Sequence, residues 1–213
     1  MTRRKAAACV LALMLFGYSL PSAYALSYAE VMMGFVSPTG LVVHQDKEAK
    51  LVNPGSFGTA IVMDGLFPLF GRFSFSPSFG FLSTNGNVKD YPLPPNDFNI
   101  RFHQSELACD LYWQPGGLRK FRVGPGISAA WWSAVEDKDV NPYRYEYEID
   151  NHVVRGQSAL LRAVAHFMLR NPDVSGVSAK LIVAQPMTDI LKMKNSAATG
   201  YIGLHLGFSM VLN

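Results

Sequence analysis

The chain has few groups that could cross-link it and few that charge it. Its two cysteines are Cys9 and Cys109. Cys9 lies in an N-terminal stretch expected to be removed, so Cys109 has no internal disulfide partner. No Cys/His set has the spacing of a structural zinc site, and neither a metal nor a cofactor is expected. Charged residues make up only 16% of the sequence. The formal excess of +3 matches the contribution of Arg3, Arg4 and Lys5 alone, so the rest of the chain is neutral and lacks the electrostatic footprint of a nucleic-acid binder. Beyond Ala25 no apolar run reaches the roughly 20 residues that a membrane helix takes. An exported chain of this size without disulfides needs another source of stability.

The first residues, MTRRKAAACVLALMLFGYSLPSAYA, have a basic start, an apolar stretch from Ala6 to about Phe16 and an Ala-x-Ala ending at Ala25. They are expected to form a secretory signal peptide over 1–25, followed by one domain over 26–213. Gly17, Ser19 and Pro21 break the apolar stretch, which argues against a membrane helix. Cys9 stands at its front, where a lipid-modified cysteine cannot be.

What the chain does have is alternation. Residues 72 to 81 read RFSFSPSFGF, with large aromatics at every second position except Pro77, and small or polar residues between. A barrel strand crosses a bilayer with about 9 to 11 residues that face lipid and lumen in turn. Seven further segments share the habit: YAEVMMGFVS, GSFGTAIVM, Phe98 to Trp113, KFRVGPGISAAWWSA, QSALLRAVAHFML, SGVSAKLIVAQ and GYIGLHLGFSMVL. The links alternate without exception between short (DGLFPLF, QPGGLR, RNPDV) and long (PTGLVVHQDKEAKLVNP, TNGNVKDYPLPPND, VEDKDVNPYRYEYEIDNHVVRG, PMTDILKMKNSAA). Eight segments with short turns at one end and long loops at the other predict an all-β fold, an eight-stranded antiparallel up-and-down transmembrane barrel. Closure pairs every backbone group where water is absent.

The inward faces then define the candidate lumen. Glu30, Arg72, Arg122, Arg162, His166, Lys180 and His205 are expected to line it and to neutralise one another as ion pairs. Basic residues outnumber Glu30, Glu106 and Asp110 there, an excess that would favour anions. Two irregularities are expected. Phe98, Ile100 and Phe102 share one parity, while Leu107, Cys109, Leu111 and Trp113 share the other, which predicts a bulge near Gln104 or Ser105. Pro77 removes a ladder donor and predicts a second bulge. QSALLRAVAHFML also fits an amphipathic helix, but a strand closes the count at eight. Trp113 and Phe121 at one end, with Trp131 and Trp132 at the other, fall where interface girdles belong.

The stretch LACDLYWQPGGLRKFRVGPGISAAWW resembles the strand-turn-strand of small outer-membrane barrels of the OmpW, OmpA-barrel and opacity-protein kind. There an aromatic-ended strand, a Gly/Pro turn, a basic-aromatic pair and a Gly-x-Gly follow in that order. The resemblance is specific over Leu107 to Trp132. It implies an outer-membrane location in a diderm bacterium, outer-membrane lipid and the barrel-assembly machinery as partners and, for the OmpW-like branch, a conduit for small apolar molecules. One departure is the terminus: such chains usually end in an aromatic, whereas this one ends in Asn213.

Three functions are open at this point. The first is a narrow conduit or a surface-exposed structural barrel. The second is an adhesin that binds host or extracellular ligands through its outer loops, motivated by Tyr143, Tyr145 and Tyr147 in NPYRYEYEIDNHVV, since tyrosine gives contact area at low entropy cost. The third is a hydrolase. His103 and Ser105 share a strand face, similar to the His-x-Ser pair of outer-membrane lipid A deacylases, although that motif continues with Asn where Glu106 stands here. No catalytic residue is assigned in the preferred reading.

Overall fold

The computed structural model describes residues 28–45, 47–50, 57–88, 98–116, 118, 120–136, 153–169, 175–187 and 198–212. Residues 1–25, the expected signal peptide, lie outside them, as do Tyr143, Tyr145, Tyr147 and Asn213. Among the described residues the chain forms strands β1 (Tyr28–Gln45), β2 (Lys47–Lys50), β3 (Gly58–Pro68), β4 (Phe73–Val88), β5 (Phe98–Trp113), β6 (Phe121–Glu136), β7 (Val153–Met168), β8 (Gly176–Pro186) and β9 (Ala198–Val211). Neighbours pair antiparallel in chain order and β1 closes the ring against β9. β2 pairs only with the outer end of β1, from Val42 to Gln45, so the barrel proper has eight strands: β1 and β3 to β9. The QSALLRAVAHFML segment is a strand, part of β7.

Alternation drives this closure. On β3 the inward set is Gly58, Ala60, Val62, Asp64 and Leu66, and on β9 it is Tyr201, Gly203, His205 and Ser209. The other parity puts Ile61, Met63, Leu204, Leu206, Phe208 and Met210 outside, all exposed. An exterior of exposed large side chains on every barrel strand has no counterpart on water-soluble monomers, which rarely expose apolar patches beyond a few hundred Å².

Partner residues traced from Gly176 around the ring run through Ser209, Glu30, Asp64, Ser78, Ala108, Ser128 and Leu160 to Pro186. The path returns to β8 ten residues further on (186 − 176). A shear of that size over eight strands tilts them by about 40°, within the usual range for barrels, and leaves an interior that side chains just fill.

Both bulges expected from the sequence are absent. β4 and β5 pair without a shift from Phe73↔Trp113 to Val88↔Phe98, so Phe102 faces inward. It finds apolar company there, stacked on Trp132 with ring centroids 6.1 Å apart. Pro77 leaves a gap instead of a bulge. The β3–β4 ladder stops at Asp64↔Ser78 and resumes in the same register at Phe67↔Phe75, while Pro77 still pairs with Cys109 of β5. Pro125 does the same to the β5–β6 ladder, which skips from Asp110↔Gly126 to Trp113↔Val123. A missing N–H removes hydrogen bonds on one side of the strand, and the intact ladder on the other side holds the register. The irregularity that does occur is between Pro38 and Gly40, where β1 shifts by one residue against β9.

The short links sit at one end. In residues 69–72, Gly71 adopts a positive φ of 57°, which only glycine takes without cost. Leu69 N–H donates to the Phe73 carbonyl and Phe73 N–H to that of Phe70, both at 3.0 Å. Strands β4 to β7 run on well beyond what a bilayer requires at the opposite end, where the long links lie.

Candidate functional site

Every inward position of a narrow barrel faces its counterparts across the lumen, so an inward charge must find its partner there. The polar groups form a continuous column. Nearest the short turns, Arg122 donates to the Tyr28 hydroxyl and to Met168 Sδ at 3.5 Å, with its guanidinium 5.2 Å from the Tyr28 ring centroid. Next, His166 Nε2 lies 3.0 Å from Glu30, and its ring tilts against Tyr112 at 6.0 Å. Lys180 Nζ stands 5.7 Å from the Tyr112 ring centroid and pairs with Asp64 at 2.6 Å and Asp110 at 3.2 Å. Asp110 is shared with Arg162 at 3.4 Å, and Arg162 also reaches Glu106 at 3.2 Å and Ser78 Oγ at 3.4 Å. Glu106 accepts from the Tyr201 hydroxyl at 2.7 Å and from Gln104 Nε2 at 3.5 Å. The Phe102–Trp132 stack lies beyond, toward the long loops.

The column fills the barrel. Lys180, Asp110, Ile182, Ser178, Ser209 and Leu160 are fully buried. A water-filled path past them would give each some exposure. The His205 ring packs against Gly34 and Gly203, where a Cβ would collide with it. Burying an ion costs several kcal/mol unless partners and hydrogen bonds compensate, and here most of the charged groups meet an opposite charge.

Six of the seven residues expected in the lumen are there: Glu30, Arg122, Arg162, His166, Lys180 and His205 are all buried. Arg72 is not. It belongs to the β3–β4 turn, is exposed, and its guanidinium rests over Gly116 of the neighbouring turn. Asp64 was hidden because DGLFPLF reads as a turn, whereas β3 continues to Pro68; the parity of Ala60, Val62 and Leu66 was the available signal. Its presence inside and the placement of Arg72 outside together reverse the expected charge balance. Among the described residues, four inward carboxylates (Glu30, Asp64, Glu106, Asp110) face three fixed cations (Arg122, Arg162, Lys180), so no anion-attracting excess exists without protonated histidines.

His103 and Ser105 share a face, as expected, and that face is the outer wall. The His103 ring stacks on Phe81 at 6.1 Å. Its Nδ1 has no hydrogen-bond partner among the described residues. Glu106, the adjacent acid, points into the lumen.

No known protein family and no curated protein matches this sequence. Solved structures do match. Ail, the attachment invasion locus protein of Yersinia pestis, in complex with the heparin analogue sucrose octasulfate, aligns at 10% identity with a TM-score of 0.50, covering 87% of this chain and 99% of that one. Neisserial surface protein A aligns at 9% identity and 0.47, covering 90% and 98%. The N-terminal β-barrel domain of Pseudomonas aeruginosa OprF aligns at 10% and 0.42, covering 87% and 98%. Identity this low speaks to the fold alone. This chain is a small, closed, eight-stranded antiparallel β-barrel of the outer-membrane type.

Proposed function

We propose that the protein is an integral outer-membrane barrel whose interior is sealed, and that it acts as a membrane-stabilising, surface-exposed scaffold for its long outer loops. The observation that carries this is the polar column from Arg122 to Glu106, ion-paired from His166 and Glu30 through Lys180 to Arg162, whose central members Lys180 and Asp110 are fully buried. A small eight-stranded lumen filled in this way leaves the outer wall and the loops as the working surfaces. Binding of extracellular ligands through the loop that holds Tyr143, Tyr145 and Tyr147 belongs to this reading. A barrel of the same fold, Ail, has been crystallised with a heparin analogue, which supports looking for such ligands here.

Planar-bilayer recording on the refolded chain tests the sealed interior. The expected result is no persistent conductance, and a steady ohmic current would restore the conduit. Deletion of residues 140–152 tests the loop, with loss of binding to a surface-ligand panel expected and unchanged binding counting against it.

A further inference from the structure

The basic side chains of the lumen stand in a rank that sealing alone does not require. Register pairs Arg122 on β6 with His166 on β7, His166 with Lys180 on β8, and Lys180 with His205 on β9. Cross-strand partners lie roughly 4.5–5.5 Å apart at Cα, so groups that carry or accept a positive charge adjoin one another across all four strands. Each of them is buried. The inward acids fall on the other half of the barrel, Glu30 on β1, Asp64 on β3, and Glu106 and Asp110 on β5.

The two histidines of the rank differ in what meets them. His166 Nε2 has Glu30 at 3.0 Å, so a proton there gains an ion pair. No carboxylate bonds either ring nitrogen of His205. Its ring is held between Gly34 on β1 and Gly203 on its own strand, where a Cβ would collide with it. Lys180 adjoins it on β8, Glu30 on β1 is committed to His166, and Tyr201 on β9 donates to Glu106. Across the lumen it faces Asp64 and Arg162, but Asp64 already pairs with Lys180 at 2.6 Å and Arg162 is a further cation. A proton added to His205 therefore sets a second charge of like sign beside Lys180 with no acid of its own, and directly opposed like charges in a sheet are destabilising.

What yields to that repulsion is side chain rather than wall. Backbone ladders hold β8, β9 and β1 together, and the inward faces opposite carry small residues, Ser74, Ser76 and Ser78 on β4 and Gly126 and Ser128 on β6. The seal is made by long side chains, Lys180 and Arg162 foremost, that reach across the lumen to acids on the other half. Imidazole is the side chain whose ordinary charge change falls between about pH 5 and 8, so acid is the signal it reads. With both histidines neutral the formal charge of the described lumen groups is −1 (3 − 4), and with both protonated it is +1 (5 − 4). A path opened in the protonated state attracts small anions.

We infer that acid turns the sealed barrel into a conductor of small inorganic anions, with protonation of His205 as the trigger. This goes beyond the sealed reading proposed above and rests on it. The test is planar-bilayer recording on the refolded full chain in a potassium chloride gradient, at about pH 7.5 and about pH 4, either side of the ordinary imidazole range. Silence is expected at the higher pH and, at the lower, discrete openings whose reversal potential favours chloride over potassium. His205→Gln, which stays polar but takes no proton, is expected to be silent at both, and His103→Gln, on the outer wall, to open with acid as the parent does. Acid-induced openings that persist in His205→Gln would overturn the inference, since the lumen carboxylates would then be the groups that titrate, and so would their loss in His103→Gln. A parent that is silent at both pH values, or whose openings prefer potassium, would overturn it without recourse to a variant. Steady current at the higher pH would instead refute the sealed interior itself. Heat-modifiable gel mobility shows which proteins are folded, with His205→Asn replacing His205→Gln where the latter gives no folded band. Loss of that band in the parent at the lower pH would mean that the wall fails rather than the seal, and would overturn the inference too.

Discussion

Replacing Lys180 with methionine is the most direct challenge to the sealed interior. Lys180 is wholly buried and holds two carboxylates, Asp64 at 2.6 Å and Asp110 at 3.2 Å. Asp110 keeps Arg162 at 3.4 Å after the substitution, whereas Asp64 loses the cation it pairs with. With three fixed cations against four carboxylates among the described residues, their formal charge falls from −1 to −2. Removing one partner of a buried pair costs about 3–5 kcal/mol, mostly for the charge left behind. The second variant, Lys180→Met/Asp64→Asn, returns the count to −1 and removes the orphaned charge, so it is expected to recover at least about half of that loss. Urea unfolding of the refolded protein in detergent micelles, followed through Trp113, Trp131 and Trp132 fluorescence, measures both. A single variant within about 1 kcal/mol of the parent, the range of a solvated pair, would mean that water reaches Lys180 and that the interior is not sealed.

Other outcomes follow from the same geometry. Leu204 is 55% exposed on the outer wall near the middle of β9, and Leu204→Arg is expected to cost about 2–4 kcal/mol in a bilayer, measured by reversible unfolding from vesicles. Gly124 lies at the ladder gap beside Pro125, where a Cβ would strike the Leu111 carbonyl and crowd Tyr112 Cα. Because backbone yields little, Gly124→Ala is expected to cost about 1–3 kcal/mol and to lower the folded band on an unheated gel. Phe102→Ala removes the ring stacked on Trp132, with a cost of about 3–5 kcal/mol and a red-shifted tryptophan emission as the chain's outer end hydrates.

Parity made most of the fold legible. Phe73, Phe75, Phe79 and Phe81 already name the outward face of β4, and the alternation of short and long links orders the strands. Parity read too literally misplaced Phe102. Its aromatic ring suggested lipid, but register on both neighbours runs straight through Gln104 and Ser105, and a barrel mouth can bury an aromatic against Trp132 as well as a membrane can. Proline was misread in a related way: loss of one donor weakens one ladder, and a strand with a sound second ladder need not bulge. The lumen charges were visible one at a time, but their pairing was not. Lys180 and Asp64 lie 116 residues apart and meet only because a shear of ten brings β3 and β8 to the same depth across the barrel.

The seam between β1 and β9 bears on how such a molecule comes to exist. It pairs Tyr28 with Val211 and continues to Val42 with Ala198, joining the first described strand to the last. Contacts this distant in sequence cannot form early in folding, because loop-closure entropy must be met before they contribute. Until they form, β1 and β9 each present an unpaired edge that hydrocarbon cannot satisfy. A chain shortened within β9 therefore has no smaller closed form to fall back on. Insertion becomes an all-or-none event, gated by arrival of the final strand.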